Sequence, residues 1–215
     1  MTVVFDLDDT LYAEMEFVRS AYRAIARRYG LHLLGTMMRA PSPREAFDST
    51  GLPIADQLRV YREHFPDIRL PWLSLYTLSM LRNRGHRLGL VTDGRSVTQR
   101  NKIRALGLER FIDPELIFIS EEVGSDKLSG QAFGRIMALC GENDKYVYVG
   151  DNPHKDFVAG NRLGWLTVCL LGGAFGENLF DQSLSGLPIE NLPRKIICGL
   201  TELLDFDDFA ELQLL

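Results

Sequence analysis

The run Phe5-Asp6-Leu7-Asp8-Asp9-Thr10 places three acids and a hydroxyl side by side near the start of the chain. Two later runs, Thr92-Asp93-Gly94 and Gly150-Asp151-Asn152-Pro153-His154-Lys155-Asp156, again join acids to glycines, and Lys127 stands between them in the sequence. Carboxylates brought together repel one another unless a hard cation sits among them. Mg2+ takes one or two carboxylates together with waters and phosphate oxygens. An aspartate held in such a place can attack phosphorus and form an aspartyl-phosphate. A second aspartate two residues on, on the same side of an extended segment, can act as acid/base for the leaving oxygen. A hydroxyl such as Thr92 and an ammonium such as Lys127 can hold the equatorial phosphoryl oxygens.

Such residues act together only if the fold gathers them. Val3–Leu7, Arg87–Val91, Leu116–Ile119, Tyr146–Val149 and Leu166–Leu170 are short apolar runs that read as strands. Val97–Leu106, Ala132–Leu139 and Phe157–Leu163 have helical spacing and stop near Gly107, Gly141 and Gly164. This alternation implies an α/β fold with a doubly wound parallel sheet. Ligands of such sheets bind beyond the carboxyl ends of the strands. Asp6, Thr92 and Asp151 fall at three of those ends, and Lys127 follows a fourth.

The first strand is separated from the others by a helix over Glu14–Tyr29, proline-broken short helices within Thr36–Pro71, and a helix over Trp72–Arg84. The expected division is a core of residues 1–12 and 72–215 with a small α-helical insert at 13–71. Gly172–Pro193 reads as loop, Lys195–Cys198 as a last short strand, Thr201–Leu204 as a helix, and the final residues as a fraying tail.

Hydrophobic residues at 46% and charged residues at 25% of 215 suit a globular chain and exclude a disordered, collagen-like or disulfide-built one. The net charge of −5 argues against general binding to nucleic acid or an anionic membrane, while leaving room for a local basic pocket. Cys140, Cys169 and Cys198 are far apart and read as reduced, buried thiols. No apolar run reaches membrane-spanning length, and the acidic N-terminal stretch does not read as a signal peptide, so a cytoplasmic location is expected.

Taken together, Asp6-Leu7-Asp8-Asp9-Thr10, Thr92, Lys127 and Gly150-Asp151 with Asp156 resemble the motifs of the haloacid dehalogenase superfamily, in its phosphatase branch with a helical cap. Gln99, Lys102, Leu106-Gly107-Leu108, Phe111, Ser120-Glu121 and Gly124 add supporting matches, and the likeness spans Val3 to about Leu204. The resemblance implies a Rossmann-like core and a Mg2+ cofactor. It makes Asp6 the nucleophile and a metal ligand, and Asp8 the acid/base with its backbone carbonyl on the metal. Thr92, Asp93, Gly94 and Lys127 would contact the substrate phosphate, with Lys127 balancing its charge. Asp151 would be the second metal carboxylate, and Asp156 would support the site, ligating directly or through water. The family also places substrate-selecting residues in the insert, which makes Glu14, Phe17 and Arg19 candidates. Two positions depart from the pattern: Leu128 where a proline usually follows the lysine, and Asn161 where a small alanine is common.

Each motif alone has a plainer reading. Asp8, Asp9 and Thr10 fit a solvated loop with a helix cap, Thr92-Asp93-Gly94 a turn, Lys127 a surface lysine, and Asp151 with Asp156 another cap. His154 reads as an exposed loop residue, Arg95 as a surface arginine or an anion contact, and Arg19, Arg23, Arg27 and Arg28 as a solvated face. The joint placement at strand ends favours a Mg2+-dependent phosphomonoester hydrolase acting on a small phosphorylated metabolite. A sugar-phosphate phosphomutase on the same scaffold is the alternative, followed by a catalytically silent binding module. Dehalogenation of a 2-haloacid is disfavoured, because that chemistry needs neither Mg2+ nor the acid at Asp8.

Overall fold

The computed structural model describes residues 1–141, 144–171, 184 and 186–205. The tail expected to fray at 206–215, and most of the expected loop within 172–193, lie outside the described residues.

Six strands form one parallel sheet: β1 (Thr2–Phe5), β2 (Arg87–Thr92), β3 (Ile117–Ile119), β4 (Tyr146–Gly150), β5 (Leu166–Leu170) and β6 (Lys195–Ile197). Their order across the sheet is β3-β2-β1-β4-β5-β6. β1 is therefore central, with Phe5 in register with Leu90 of β2 on one side and Val149 of β4 on the other. The residues that follow β1, end β2 and follow β4 emerge side by side at the point where the strand order reverses direction.

Alternate side chains of β1 enter different cores, as the pleat requires. Val3 and Phe5 pack with Leu78, Leu81, Ile103 and Leu106, while Val4 packs with Phe133, Ile136 and Trp165. These partners belong to helices on the two faces: α5 (Trp72–Asn83) and α6 (Ser96–Leu106) on one, α8 (Gln131–Cys140) on the other. Helix α6 stops at Gly107, which takes the left-handed conformation at φ 65° and returns its N–H to the last turn. Two shorter helices, α7 (Ser120–Val123) and α9 (Val158–Arg162), complete the set around the sheet.

Between β1 and α5 run four helices: α1 (Glu14–Tyr29), α2 (His32–Arg39), α3 (Pro43–Asp48) and α4 (Ile54–Glu63). They build a third apolar cluster from Val18, Tyr22, Ile25, Leu33, Met37, Ala46 and Phe47. Helix α4 also docks on α6. Thr98 Oγ1 donates to the Arg62 carbonyl at 3.0 Å, and Asn101 Nδ2 donates to the Glu63 and His64 carbonyls, each at 3.2 Å. A core helix thus satisfies carbonyls that the end of α4 leaves unpaired.

The expected elements are present with small differences. β1 ends at Phe5 rather than Leu7, although Leu7 is fully buried. The chain turns immediately afterwards, through Asp9 at φ 57°. The expected last helix is a 3-10 turn over Leu200–Asp205. Of the cysteines only Cys169 is buried, Cys140 being half-buried and Cys198 exposed. No helix among the described residues is long and apolar enough to cross a membrane.

Replacing Asn101 by Ala removes two donors from the end of α4, at about 1 kcal/mol each. Amides in the last turn of α4 are expected to exchange faster with solvent deuterium, while those of β1 stay protected. Unchanged exchange in α4 would show that these bonds do not hold the helix down.

Candidate active site

Asp6 sits one residue past the end of central β1, and its N–H still pairs with the Val149 carbonyl at 2.8 Å. Its Oδ1 accepts from Lys127 Nζ at 2.6 Å, and the same ammonium donates to Asp156 Oδ1 at 2.8 Å. All three groups are buried, Lys127 at 1% exposure and Asp156 at 0%. Lys127 reaches them from a 3-10 turn, Lys127–Ser129. Leu128 in that turn lies 39% exposed and leaves the lysine in place, so the missing proline is not needed to aim it.

Asp156 is held by its own loop. Its second oxygen accepts from Asn152 N at 2.8 Å. A Cβ on Gly150 would lie 2.5 Å from that oxygen, so only glycine permits the approach. Asp151, half-buried, accepts from Thr10 Oγ1 at 3.2 Å. Carboxylate oxygens of Asp6, Asp151 and Asp156 lie within 4.8 Å of one another.

The ammonium pairs with two of the three carboxylates, Asp6 and Asp156, which leaves surplus negative charge in a buried place. Burial is the main reason the Asp6 carboxyl is pushed well above the usual range; Lys127 opposes this, while Asp156 and Asp151 add to it. Burial, then Asp156 and Asp9, raise Asp151 to about 6. Burial also works against the charge of Lys127, but Asp156 and Asp6 outweigh it and hold the lysine well above its ordinary value. An all-oxygen donor set with unbalanced charge fits a hard divalent cation such as Mg2+.

Asp8 faces a different set of groups. Lys102 Nζ donates to both of its oxygens at 2.8 Å, Tyr12 Oη donates to Oδ1 at 2.6 Å, and Gln99 Nε2 donates to Oδ2 at 3.1 Å. Burial pushes this carboxyl upward, but Lys102, Tyr12 and Gln99 outweigh it and hold it below the usual range. Gln99 Nε2 also lies 2.7 Å from Thr92 Oγ1, which ties the Asp8 carboxylate to the hydroxyl at the end of β2.

The other residues singled out from the sequence fall as follows. Asp93 Oδ1 accepts from the backbone N–H of Lys127 at 3.1 Å and so anchors the lysine turn. Gly94 lies beside it at φ 146°, its N–H on Ser120 Oγ at 2.9 Å. Asp9 accepts from Glu14 N at 2.9 Å, at the start of α1. Arg95 is exposed and 3.7 Å from Glu121, and His154 is exposed. Arg19 pairs with Glu16 at the surface. Phe17 is buried and lies under the Lys102 ammonium, 4.3 Å from its ring centre. Asn161 donates to the Glu190 and Leu192 carbonyls and accepts from Thr167 Oγ1, a packing task that alanine could not perform.

The family resemblance takes in Gln99 and Lys102 without giving them a task, and the sequence does not single out Tyr12. The helical spacing of Gln99 and Lys102, three apart on α6, was the available signal, because it puts both on one face.

Known proteins resemble this chain over most of its length. The family model described as haloacid dehalogenase-like hydrolase matches residues 3–170. A glyceraldehyde 3-phosphate phosphatase of Methanocaldococcus jannaschii is 29% identical, over 88% of this chain and 92% of its own length. A pyrophosphatase, PpaX, of Halalkalibacterium halodurans is 25% identical, over 89% and 93%. Among solved structures, the HAD-hydrolase YfnB of Bacillus subtilis, solved bound to magnesium, aligns with a TM-score of 0.66 over 95% of this chain and 96% of its own, at 19% identity.

The crowding of Asp6 and Asp151 gives a signed pH dependence. A carboxyl with a raised folded-state value stabilises the protein at low pH, and that contribution is lost as pH rises toward the raised value. In chelator, melting temperature should therefore fall as pH rises from about 4 to 6, where Asp151 moves from 3.8 to about 6, and further as Asp6 ionises. Added Mg2+ should raise the melting temperature more at pH 8 than at pH 5, since protons no longer compete. An equal Mg2+ shift at both pH values would contradict the crowding.

Proposed function

We propose, for a chain that belongs to the haloacid dehalogenase-like hydrolase family and is a phosphatase, that it hydrolyses a small phosphomonoester with Mg2+ through an aspartyl-phosphate on Asp6. The observation that carries this reading is the Asp6 carboxylate, buried beside Lys127, Asp156 and Asp151 at the end of the central strand.

Asp6 and Asp151 would hold the metal through carboxylates, with the Asp8 backbone carbonyl beside them. When bound, the cation offsets charge on the transferring phosphoryl group and on the carboxylates around it. The protein's own groups do the rest. An Asp6 oxygen attacks phosphorus, and the bond to the leaving oxygen breaks with its electron pair. Lys127 and Thr92 steady the phosphoryl oxygens, the lysine having Asp156 to keep it charged and aimed. Asp8 supplies a proton to a poor leaving group. Water then attacks the phosphorus of the acyl phosphate, its proton passes to Asp8, and the Asp6 carboxylate is released. Because the donors around Asp8 favour its carboxylate form, the base half of this cycle is the better supported.

Asp93 and Gly94 are assigned a supporting part, holding the Lys127 turn and the end of β2 beside the phosphate. Residues 13–71 are assigned the part of a cap, whose Phe17 and Glu14 lie on the side nearest Asp8. The names of the relatives point to a small phosphorylated metabolite as substrate, with triose phosphate and pyrophosphate as the first two to try.

Purified protein is expected to release phosphate from an aryl phosphate in Mg2+ and to stop in excess chelator. Asp6→Asn should be inactive while still folded, and Lys127→Ala should lose about 10²–10³ in rate. Equal turnover in chelator, or near-native rates in Lys127→Ala, would overturn the reading.

A further inference from the structure

Lys102 belongs to no motif that the proposed chemistry uses, yet it is 3% exposed and spends its charge entirely inside the protein. A lysine is almost never buried unless paired, and among the described residues this one forms its ion pair with one carboxylate, Asp8. Its ammonium contacts both oxygens of Asp8 at the same distance, 2.8 Å. Tyr12 and Gln99 add one further donor to each oxygen. Four hydrogen bonds on two oxygens fix the carboxylate in plane as well as in place. A single contact would have left it free to rotate.

The place is also informative. Gln99 Nε2 touches Asp8 Oδ2 and Thr92 Oγ1 at once, so the clamped carboxylate stands one amide away from the hydroxyl assigned to the phosphoryl group. The Asp8 side chain is 20% exposed, against 4% for that of Lys102. Both Gln99 and Lys102 come from α6, one turn apart, and the same helix holds the end of α4 through Thr98 and Asn101. Phe17 of the insert lies 4.3 Å from the ammonium, ring centre to Nζ, in a cation–π contact. The insert thus touches the lysine side of the clamp through Phe17, while the four donors to Asp8 come from Tyr12 and α6.

We propose that Lys102, seconded by Tyr12 and Gln99, is the positioning residue that holds Asp8 as the base for the second half-reaction. In that step water attacks phosphorus, its proton moves to Asp8, and the P–O bond to Asp6 breaks with its electron pair returning to Asp6. Lys102 touches neither substrate nor phosphorus; it acts through Asp8. The inference rests on the reading of Asp6 as nucleophile and Asp8 as acid/base.

The test is the decay of the phosphoenzyme. Wild-type protein and variants are loaded with an aryl phosphate in Mg2+, chased, acid-quenched over time and assayed for acyl phosphate. Aryl leaving groups need no proton, so formation of the phosphoenzyme reports folding and metal binding, and decay reports the base. In Lys102→Met, decay should slow about tenfold or more, within the range of general-base effects, while formation changes by no more than a few-fold. Asp8→Asn should slow decay too, and adding Lys102→Met to it should cost nothing further, since two residues acting through one carboxylate do not add. Should Lys102→Met fail to fold, Tyr12→Phe keeps the shape, removes one donor, and should slow decay in the same direction. Formation and decay slowed alike, unchanged decay in a folded variant, or a further loss in the double variant would each overturn the positioning role. If the wild-type protein forms no acyl phosphate while releasing phosphate, it is the nucleophile assignment that fails.

Discussion

Burying the Lys127 ammonium against Asp6 and Asp156 is the constraint that shapes everything around it. A charge removed from water is tolerated only where partners and hydrogen bonds replace what it loses. Here the partners come from distant parts of the chain, and each is itself held. Asp6 ends the central strand, Asp156 is fixed by the Asn152 N–H, and the lysine turn is fixed by Asp93. Gly150 has no side chain because Asp156 occupies the space a Cβ would take. Removing the ammonium would leave two buried carboxylates without their cation, a loss of about 3–5 kcal/mol. The sheet order brings β1 and β4 together and makes the cluster reachable at all.

One ammonium cannot balance three carboxylates. The remaining charge is what makes the cluster suitable for a cation and costly without one, the exchange of stability for function common at such sites. The two aspartates of the first motif lie two residues apart and live in opposite settings. Asp6 shares Lys127 with Asp156 and faces surplus negative charge; Asp8 receives Lys102, Tyr12 and Gln99 as donors and faces a cation that no other carboxylate of the cluster contacts. Two chemically identical side chains thereby acquire different ionisation behaviour, a division that acid/base chemistry uses.

Much of this was legible in the sequence. Apolar strand runs ending in Asp, Thr-Asp-Gly and Gly-Asp marked the strand ends, and glycine stops marked the helices, because those signals are local. Pairing across the sheet put Asp6 and Asp151 together as the alternation suggested. Gln99 and Lys102 stood out as residues, but their contact with Asp8 was not legible, since Lys102 reaches it across 94 positions of sequence. Nothing in the sequence marks the Tyr12 hydroxyl as a donor to Asp8. The hold of Asp93 on the Lys127 turn was also hidden, because its partner is a backbone N–H more than thirty residues away.

Everything in the proposed cycle depends on a covalent bond between Asp6 and phosphorus, and that bond can be caught directly. Borohydride reduces an acyl phosphate to an alcohol, converting the aspartate that bore it to homoserine. Protein turning over a phosphomonoester in Mg2+, quenched with borohydride and digested, should carry homoserine at position 6 and unmodified aspartate at positions 8, 9, 151 and 156. Active protein with no reduced residue, or with the reduction at any aspartate other than Asp6, would contradict the assignment of the nucleophile.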